Sequence, residues 1–219
     1  FKLSYDMVRD FAPVTLLGTI PFVLSAHPAV PVTSVDELVK LARAKPGELN
    51  YGSGSNGTNT HLGAELLKNL TGIKMVHVPY KGAGAVLQDL MGGQVQVLIS
   101  AVPTVVPYVN AGRLRALMVT DDKRSSVLPN VASAAEASLP GMVMHFWVGY
   151  AVPAGTPQPV VERLNQAISA VLNAPESKKR FTELGVDTVG NSPAQATKLV
   201  ADEMDRWTAT IKAAGVKAE

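Results

Sequence analysis

The residues with the clearest chemical potential lie in a glycine-rich turn between a predicted strand and a predicted helix. The turn reads Gly52-Ser53-Gly54-Ser55-Asn56-Gly57-Thr58 and follows the short apolar run 49–51. The first backbone N–H groups of a helix have no partner inside the helix, and the helix dipole places partial positive charge beside them. Glycines let the backbone approach a ligand, and serine and threonine hydroxyls add donors. The turn therefore predicts a site for a carboxylate or phosphate; a tight turn capped by Thr58, without a ligand, is the alternative.

The same turn matches the glycine pattern of dinucleotide-binding folds, which would make the protein a nucleotide-dependent α/β enzyme. Gly52, Gly54 and Gly57 have the spacing G-x-G-x-x-G. This fingerprint also requires an acidic residue at the end of the next strand, where it binds the ribose. The corresponding segment 74–81 contains no Asp or Glu. A phosphate-binding loop for nucleoside triphosphates is disfavoured too, because Thr58 stands where that loop requires lysine.

Patterns for catalysis or metal binding are weak elsewhere in the chain. The four histidines are scattered without a pair at metal-ligand spacing on a helix, and there is no cysteine and no G-x-S-x-G motif. The acidic pairs Asp36-Glu37 and Asp121-Asp122 are more typical of a helix start and a loop than of a catalytic centre. His61, one turn into the helix after the glycine turn, is the only histidine expected near a ligand, with local packing as the alternative. We therefore predict no catalytic residues, no metal and no cofactor.

The composition is that of a folded protein. Of the 219 residues, 47% are hydrophobic and 17% are charged, and the formal net charge is +2, which is far from the balance of a disordered chain. No cluster of Lys and Arg indicates a nucleic-acid or membrane-surface footprint. The uncharged stretches 91–112 and 141–161 contain Gly, Gln and Pro and are not typical of membrane-spanning helices. A chain without cysteine fits the cytosol and the bacterial periplasm alike.

Short apolar strands alternate with helical patterns, which predicts an α/β fold with a largely parallel sheet. Strands are predicted over 14–25, 49–51, 74–79, 95–100, 114–120 and 145–152. Helices are predicted over 35–45, 58–70, 83–91, 104–110, 157–172, 176–184 and 193–214. Ser34 with Glu37 forms a capping box, and Ser192-Pro193 marks the start of the last helix. On the helix 157–172, the residues expected to face the core are Val160, Leu164, Ile168 and Val171.

Eight blocks, in order and over essentially the whole chain, resemble the Bug family, the extracytoplasmic receptors of tripartite tricarboxylate transporters. The glycine turn with His61-Leu62 is similar to the family's G-S-x-G-x-G-[ST]-x-x-H-L loop. The other blocks are Tyr5-Asp6 with Asp10–Val14, Val78–Gly82, Asp89–Gly93, Lys123–Ser125, Leu128–Val131, Pro153–Pro157 and Trp207 with Ala214-Gly215. Three positions depart from the family pattern: Ser55 replaces a glycine, Ala85 a proline and Gln96 a common aspartate.

The resemblance implies a two-lobe, Venus-flytrap fold of the periplasmic binding proteins, with a carboxylate buried between the lobes. Residues 1–20 would be a remnant of lobe I and the first hinge crossing, and residues 21–118 would form lobe II with the glycine turn. Residues 119–219 would contain the second crossing, within the polar segment 121–140, and the C-terminal part of lobe I. Family members carry further lobe I residues before the position that matches Phe1, so lobe I is expected to be incomplete here.

The resemblance also implies a function. The protein would capture a small organic carboxylate in the periplasm and deliver it to the membrane subunits of a transporter; it would not bind nucleic acid or span the membrane itself. A sensory receptor of the same fold is the alternative. The ligand-binding residues expected from the turn and the helix after it are Gly52, Ser53, Ser55, Asn56, Gly57, Thr58 and His61. The loops near Ser100 and Trp147 are expected to add specificity, with core packing as the alternative for each.

Overall fold

The computed structural model describes residues 4–216, and these divide into two compact units. Unit 1 contains the described residues up to Ile20 together with Phe146–Ala209, and unit 2 contains Pro21–His145 and the residues from Thr210 onward. Phe1 and Glu219, the ends of the predicted lobe I segments, lie outside the described residues. Across residues 4–216, no helix combines the length and the apolar character needed to cross a membrane.

Unit 2 is built on a sheet with the strand order β3-β2-β4-β1-β5. The strands are β1 (Phe11–Ala26), β2 (Asn50–Ser53), β3 (Val76–Pro79), β4 (Val97–Ala101) and β5 (Arg115–Val119). β2 pairs in parallel with β3 and β4, whereas β1 runs antiparallel to β4 and β5. The C-terminal ends of β2, β3, β4 and β5 therefore meet at one edge of the sheet, which we call the carboxyl edge. The glycine turn lies at this edge.

Helices cover both faces of the unit 2 sheet. They are α1 (Val35–Ala44), α2 (Asn59–Thr71), α3 (Ala83–Met91) and α4 (Val102–Asn110). The predicted cap of α1 is present, since the Ser34 Oγ accepts the Glu37 N–H at 3.2 Å. α2 ends at Gly72, whose φ of 69° is the left-handed conformation that glycine adopts easily. Buried side chains of α3, α4 and the sheet form one apolar cluster that includes Val86, Leu90, Leu98 and Val105.

The segment after β5 belongs to unit 2, whereas the sequence predicts the second lobe boundary after residue 118. The Val119 N–H of β5 donates to the Ala132 carbonyl at 2.9 Å, and the Met144 N–H donates to the Thr120 carbonyl at 3.0 Å. These backbone bonds tie the polar segment 121–140 to the end of β5, and the division falls between residues 145 and 146. The first predicted boundary, between residues 20 and 21, coincides with a division between the units.

Unit 1 pairs the first half of β1 with two further strands. These are β6 (His145–Pro153) and β7 (Asp187–Thr188). The helices are α5 (Gln158–Asn173), α6 (Pro175–Glu183) and α7 (Pro193–Ala214). His145 and the residues of α7 from Thr210 onward belong to unit 2. Ser192 caps α7 reciprocally, because its Oγ accepts the Gln195 N–H at 3.3 Å and its own N–H donates to the Gln195 Oε1 at 3.0 Å. The sequence predicted this start.

The buried face of α5 differs from the predicted one. Val161 and Leu172 are buried, whereas Val160, Leu164 and Val171 are exposed. The helix carries two adjacent apolar stripes, and a shift of one residue turns a side chain by about 100° around the axis. Packing within the described chain covers only the stripe of Val161 and Leu172. Hydrophobic spacing alone could not choose between the two stripes.

Candidate functional site

The glycine turn connects β2 to α2 at the carboxyl edge of unit 2. Ser53 is the last residue of β2, and Thr58 is the N-cap of α2. Gly57 has a φ of 72°, where an L side chain would be strained. The predicted strand-to-helix turn, with Thr58 at the helix cap, is confirmed.

The start of α2 presents backbone donors without partners. The Thr58 side chain does not cap the helix; its Oγ1 lies 2.7 Å from the Ser55 carbonyl, to which it donates. Among the described residues, no acceptor takes up the amide N–H of Asn59, Thr60 or His61. Unpaired amides at a helix N-terminus, together with the helix dipole, favour an anion.

The turn after β3 is held beside the glycine turn. The Tyr80 N–H donates to the Ser53 carbonyl at 2.9 Å, and the Gly82 N–H donates to the Gly54 carbonyl at 2.8 Å. The Tyr80 hydroxyl donates to the Asp89 carboxylate at 2.7 Å. Burial and this hydrogen bond raise the pKa of Tyr80 to about 12. The segment Val78–Gly82 therefore supports the backbone of the glycine turn, and Asp89 in turn holds the Tyr80 side chain.

Beneath the glycine turn lies a polar network, on the sheet face covered by α2. The imidazoles of His61 on α2 and His77 on β3 stack with centroids 3.9 Å apart and planes 6° from parallel. Tyr51 of β2 stacks on His77 at 4.9 Å. The Ser53 Oγ lies 2.6 Å from the His77 Nε2, and the His61 Nδ1 accepts the Gly57 N–H at 3.1 Å. The two histidines thus hold the beginning and the end of the turn.

Glu65 supplies the negative charge of this network. Its buried carboxylate accepts the Tyr51 hydroxyl, and its Oε1 lies 2.6 Å from the Lys68 Nζ and 3.8 Å from the His61 Nε2. Burial, reinforced by this carboxylate, raises the pKa of Tyr51. Burial lowers the pKa of His61; Glu65 opposes this effect and Lys68 reinforces it. The lowered pKa favours the neutral form of the His61 imidazole.

The two histidines and Glu65 do not form a metal site. Within residues 4–216, no group of three or more His, Asp or Glu side chains is arranged to hold a metal ion. The His61 Nδ1 already accepts a backbone N–H, and parallel stacking keeps the ring nitrogens of the two histidines from converging on one point.

Three of the predicted ligand residues lie inside the unit. Gly52 is buried in β2, and a Cβ there would collide with Val86 of α3. The side chains of Ser53 and His61 are buried and engaged with the network. The outer surface of the turn is formed by the exposed or half-buried residues Ser55, Asn56, Gly57 and Thr58.

Sequence reasoning missed the role of His77 and Tyr51. His77 lies in the apolar run 75–79, where a polar residue on a half-buried strand is unusual. That signal could have flagged His77, but nothing in the spacing shows that it stacks on His61, sixteen residues earlier.

Ser100 lies at the carboxyl edge, but its side chain faces the other side of the sheet. Gly52 pairs with Leu98, and Ser100 follows Leu98 by two residues, so it shares the face of Gly52 while Ser53 points to the opposite face. Ser100 is buried, and its hydroxyl has no hydrogen-bond partner within the described part of the chain. Ser25, deeper in the sheet, is in the same state.

Trp147 lies on β6 in unit 1, apart from the unit that carries the glycine turn. It is half-buried and lines an apolar cavity of about 90 Å³. Other residues lining this cavity include Phe11, Leu16, Tyr150, Ala196 and Val200. The structure therefore does not bring Trp147 and the glycine turn together within one unit.

The chain matches the sequence model of the tripartite tricarboxylate transporter family receptor over residues 1–216. BugT of Bordetella pertussis is 32% identical over 216 residues, which cover 99% of this chain and 66% of BugT. This chain thus spans about two thirds of that relative's length.

Solved structures give the same result. The structure of R. palustris Rpa4515 with adipate is 37% identical, with a TM-score of 0.86 over 98% of this chain and 72% of that one. MatC from Rhodopseudomonas palustris with bound malate is 31% identical, with a TM-score of 0.81 over 96% of this chain and 73% of that one. The predicted family and the predicted α/β, periplasmic-binding-protein fold class are confirmed. The chain belongs to the tripartite tricarboxylate transporter family of solute-binding receptors.

Proposed function

We propose that unit 2 is the ligand-binding lobe of an extracytoplasmic receptor and that its glycine turn holds a carboxylate of a small organic acid. The observation that carries this proposal is the set of three unpaired amides, 59–61, at the carboxyl edge. Ligands of open α/β sheets bind outside the carboxyl ends of the strands. A carboxylate there would accept these donors and complement the helix dipole.

The predicted ligand residues divide into two roles in this proposal. Ser55, Asn56, Gly57 and Thr58 form the outer surface of the turn and would contact the ligand directly. Gly52, Ser53 and His61 would act from inside, by keeping the backbone in place. Ser100, with its buried unpaired hydroxyl at the same edge, would take a water molecule or a ligand atom.

A dicarboxylate is the proposed ligand class. Two similar proteins were solved with adipate and with malate, each of which has two carboxylates. One carboxylate would occupy the start of α2, and the second would be read by groups outside the glycine turn. Trp147 stays a predicted ligand residue; it lines an apolar cavity within unit 1.

Family membership supports a proposal for the wider role. Unit 2 would be lobe II of the receptor and unit 1 the C-terminal part of lobe I, and the receptor would deliver its ligand in the periplasm to membrane subunits of a tripartite transporter. No reaction is needed for this role, since binding a carboxylate requires donors, ordered water and exclusion of bulk solvent. We therefore propose a binding protein and not an enzyme.

Isothermal titration of the full-length protein tests the ligand class. We expect a Kd near 1 μM, equivalent to about 8 kcal/mol, for at least one ligand in a panel of di- and tricarboxylates that includes adipate and malate. We expect no binding of NAD. Tight binding of NAD without binding of any carboxylate would contradict the proposal. It would favour the alternative that the glycine turn belongs to a nucleotide-dependent enzyme.

Two glycines offer a matched test of the turn itself. Gly57 and Gly47 both have positive φ, 72° and 80°, and both have open space where a Cβ would stand. Each donates its N–H at 3.1 Å, to the His61 Nδ1 and to the Lys74 carbonyl respectively. Alanine strains either position by about 1–2 kcal/mol. We expect similar losses of stability, but a tenfold or greater loss of carboxylate affinity only for Gly57→Ala. Equal affinities would exclude the turn from the binding site.

A further inference from the structure

The network beneath the glycine turn contains an acceptor that exists in only one protonation state. The Gly57 N–H donates to the His61 Nδ1 at 3.1 Å. An imidazole nitrogen accepts only when it carries no proton, so His61 must be neutral with its proton on Nε2. That nitrogen lies 3.8 Å from the Glu65 Oε1. A second proton, on Nδ1, would make this nitrogen a donor facing the Gly57 N–H, which is also a donor. The hydrogen bond that holds the Gly57 amide would then be lost.

The second histidine anchors the other end of the turn. The His77 Nε2 lies 2.6 Å from the Ser53 Oγ, and the same hydroxyl lies 3.1 Å from the Ser55 carbonyl. Because the His61 and His77 rings stack at 3.9 Å, a displacement of one ring is passed to the other. The turn is therefore fixed at two points by a single stacked pair.

The surroundings of the pair disfavour positive charge on His61. The titratable groups that face it are Glu65 and Lys68 from α2, Tyr51 from β2 and His77 from β3. The Glu65 carboxylate already accepts from both the Lys68 ammonium and the Tyr51 hydroxyl. A proton on His61 would add a cation to a buried site whose one carboxylate already has a cationic partner.

We propose that His61 and His77 are positioning residues that hold the glycine turn in its anion-binding shape, and that the turn leaves this shape when His61 takes a proton at Nδ1. This inference rests on the proposed function, because it concerns the same site. It makes carboxylate binding depend on pH through a group that does not touch the ligand.

The sign of the effect follows from the buried position of His61. Burial lowers its pKa below the ordinary 6.5, so the folded protein resists protonation that the unfolded chain accepts. The ordered turn is fully stable above the ordinary pKa, and its stability falls as the pH drops from there through the lowered pKa. Carboxylate affinity is expected to fall as the pH drops below this lowered pKa, where His61 of the folded, ligand-free protein takes up the proton.

Nuclear magnetic resonance of the ligand-free, full-length protein tests the coupling directly. The Gly57 amide and the ring nitrogens of His61 are followed from about pH 8 to about pH 4.5, which brackets histidine titration. We expect the Gly57 amide to shift with the midpoint of His61. The matched control is the Ala29 amide, whose N–H donates to the Nδ1 of another histidine, His27, at 3.2 Å and should not follow the midpoint of His61. A Gly57 amide that ignores the titration of His61 would overturn the inference.

Variants of His61 separate positioning from simple structural support. Asparagine places Oδ1 near the position of Nδ1, where it accepts the Gly57 N–H but takes up no proton; phenylalanine keeps a ring for stacking but offers no acceptor. With adipate as the probe in the full-length protein, the wild-type affinity should fall by up to about tenfold per pH unit below the pKa of His61. His61→Asn should bind more weakly than wild type at high pH but lose this slope. His61→Phe should bind weakly throughout, and the control His27→Asn should keep the wild-type slope.

The outcomes of the binding and NMR titrations distinguish a failure of this inference from a failure of the proposed function. The carboxyl groups of adipate titrate in this range too, but identically for all variants, so differences between variants isolate His61. A wild-type slope in His61→Asn would refute the inference. If the Gly57 amide follows His61 but no carboxylate binds at any pH, the proposed function fails while the coupling of the turn to His61 stands.

Discussion

Unit 2 and unit 1 stabilise their elements in different ways. Unit 2 buries apolar residues on both faces of its sheet, including Leu24, Leu67, Leu90 and Met118 with no exposed surface. In unit 1 the buried apolar residues are few: Val14, Leu16, Val161, Leu172 and Ala196. Its exposed large apolar residues include Phe146, Val148, Tyr150, Val160, Leu164, Val171 and Met204.

Unit 1 relies instead on side chains that bond to the backbone. The Asn165 Nδ2 donates to the Val14 carbonyl at 3.0 Å and to the Asn191 carbonyl at 2.8 Å, and the Asn191 Oδ1 accepts the Leu16 N–H at 2.9 Å. These bonds fix β1 to the segment before α7, but they do not cover apolar surface. The difference shows that the unit with the glycine turn contains a core of its own, whereas unit 1 leaves more of its large apolar side chains exposed.

The largest expected effect comes from truncating one core leucine. Leu67→Ala in α2 should lower the free energy of unfolding of the 219-residue chain by about 2–5 kcal/mol, because it leaves a cavity under the sheet. Val171→Ala in α5, where the residue is 62% exposed, should change it by less than about 0.5 kcal/mol. Urea denaturation measures both. Similar losses for the two variants would mean that the core is shared between the units.

The next effect tests the polar clamp of unit 1. Asn165→Ala leaves the carbonyls of Val14 and Asn191 without this donor, which should cost about 1–3 kcal/mol. Asn173→Ala is the matched control on the same helix, since its Nδ2 donates at 3.0 Å to the Ser169 carbonyl one turn earlier in that helix. Hydrogen exchange should show faster opening of β1 up to residue 20 in the first variant only. Uniformly faster exchange in unit 2 as well would contradict independent stabilisation.

A smaller effect concerns self-association of the 219-residue chain. Tyr150 on β6 is 58% exposed beside other apolar residues of this strand, and exposed apolar strands promote association. Tyr150→Lys should weaken self-association about tenfold in analytical ultracentrifugation, which is equivalent to about 1.4 kcal/mol. Val76→Lys, on the edge strand of unit 2, is the comparison. A stronger effect of Val76→Lys would place the associating surface in unit 2 and reverse the contrast between the units.

The smallest effect is a pH dependence at the end of β5. Burial alone would raise the pKa of Asp121, but hydrogen bonds from Asp122 and His145 outweigh it and hold the pKa below 3.8. A lowered folded pKa stabilises the protein above the ordinary value and loses that contribution as the pH falls through the lowered one. Asp121→Asn should therefore flatten the loss of stability below about pH 4, followed by circular dichroism. If Asp121→Asn loses stability at low pH as steeply as the wild type, the Asp121 interactions contribute nothing to stability.

Much of the local structure could be predicted because it depends on neighbouring residues. The caps at Ser34 and Ser192, the left-handed glycine after α2 and the position of Thr58 follow from side chains within three or four residues. The buried stripe of α5 could not be predicted, because two apolar stripes satisfied the same spacing. The division between the units after residue 145 could not be predicted from composition, because a polar segment can be bound to a sheet by backbone bonds that composition does not reveal.

The sequence by itself determined the family, the order of strands and helices, and the turn with unpaired amides, since motif spacing and capping act over a few residues. Only the tertiary structure decided which site residues face outward and which hold the turn from inside. Ser53 and Ser55 are both serines of one turn, yet one hydroxyl is buried against His77 and the other residue is exposed. The alternation of side chains along β2 and the stacking of His77 on His61 produce this division, and both depend on pairings between distant segments.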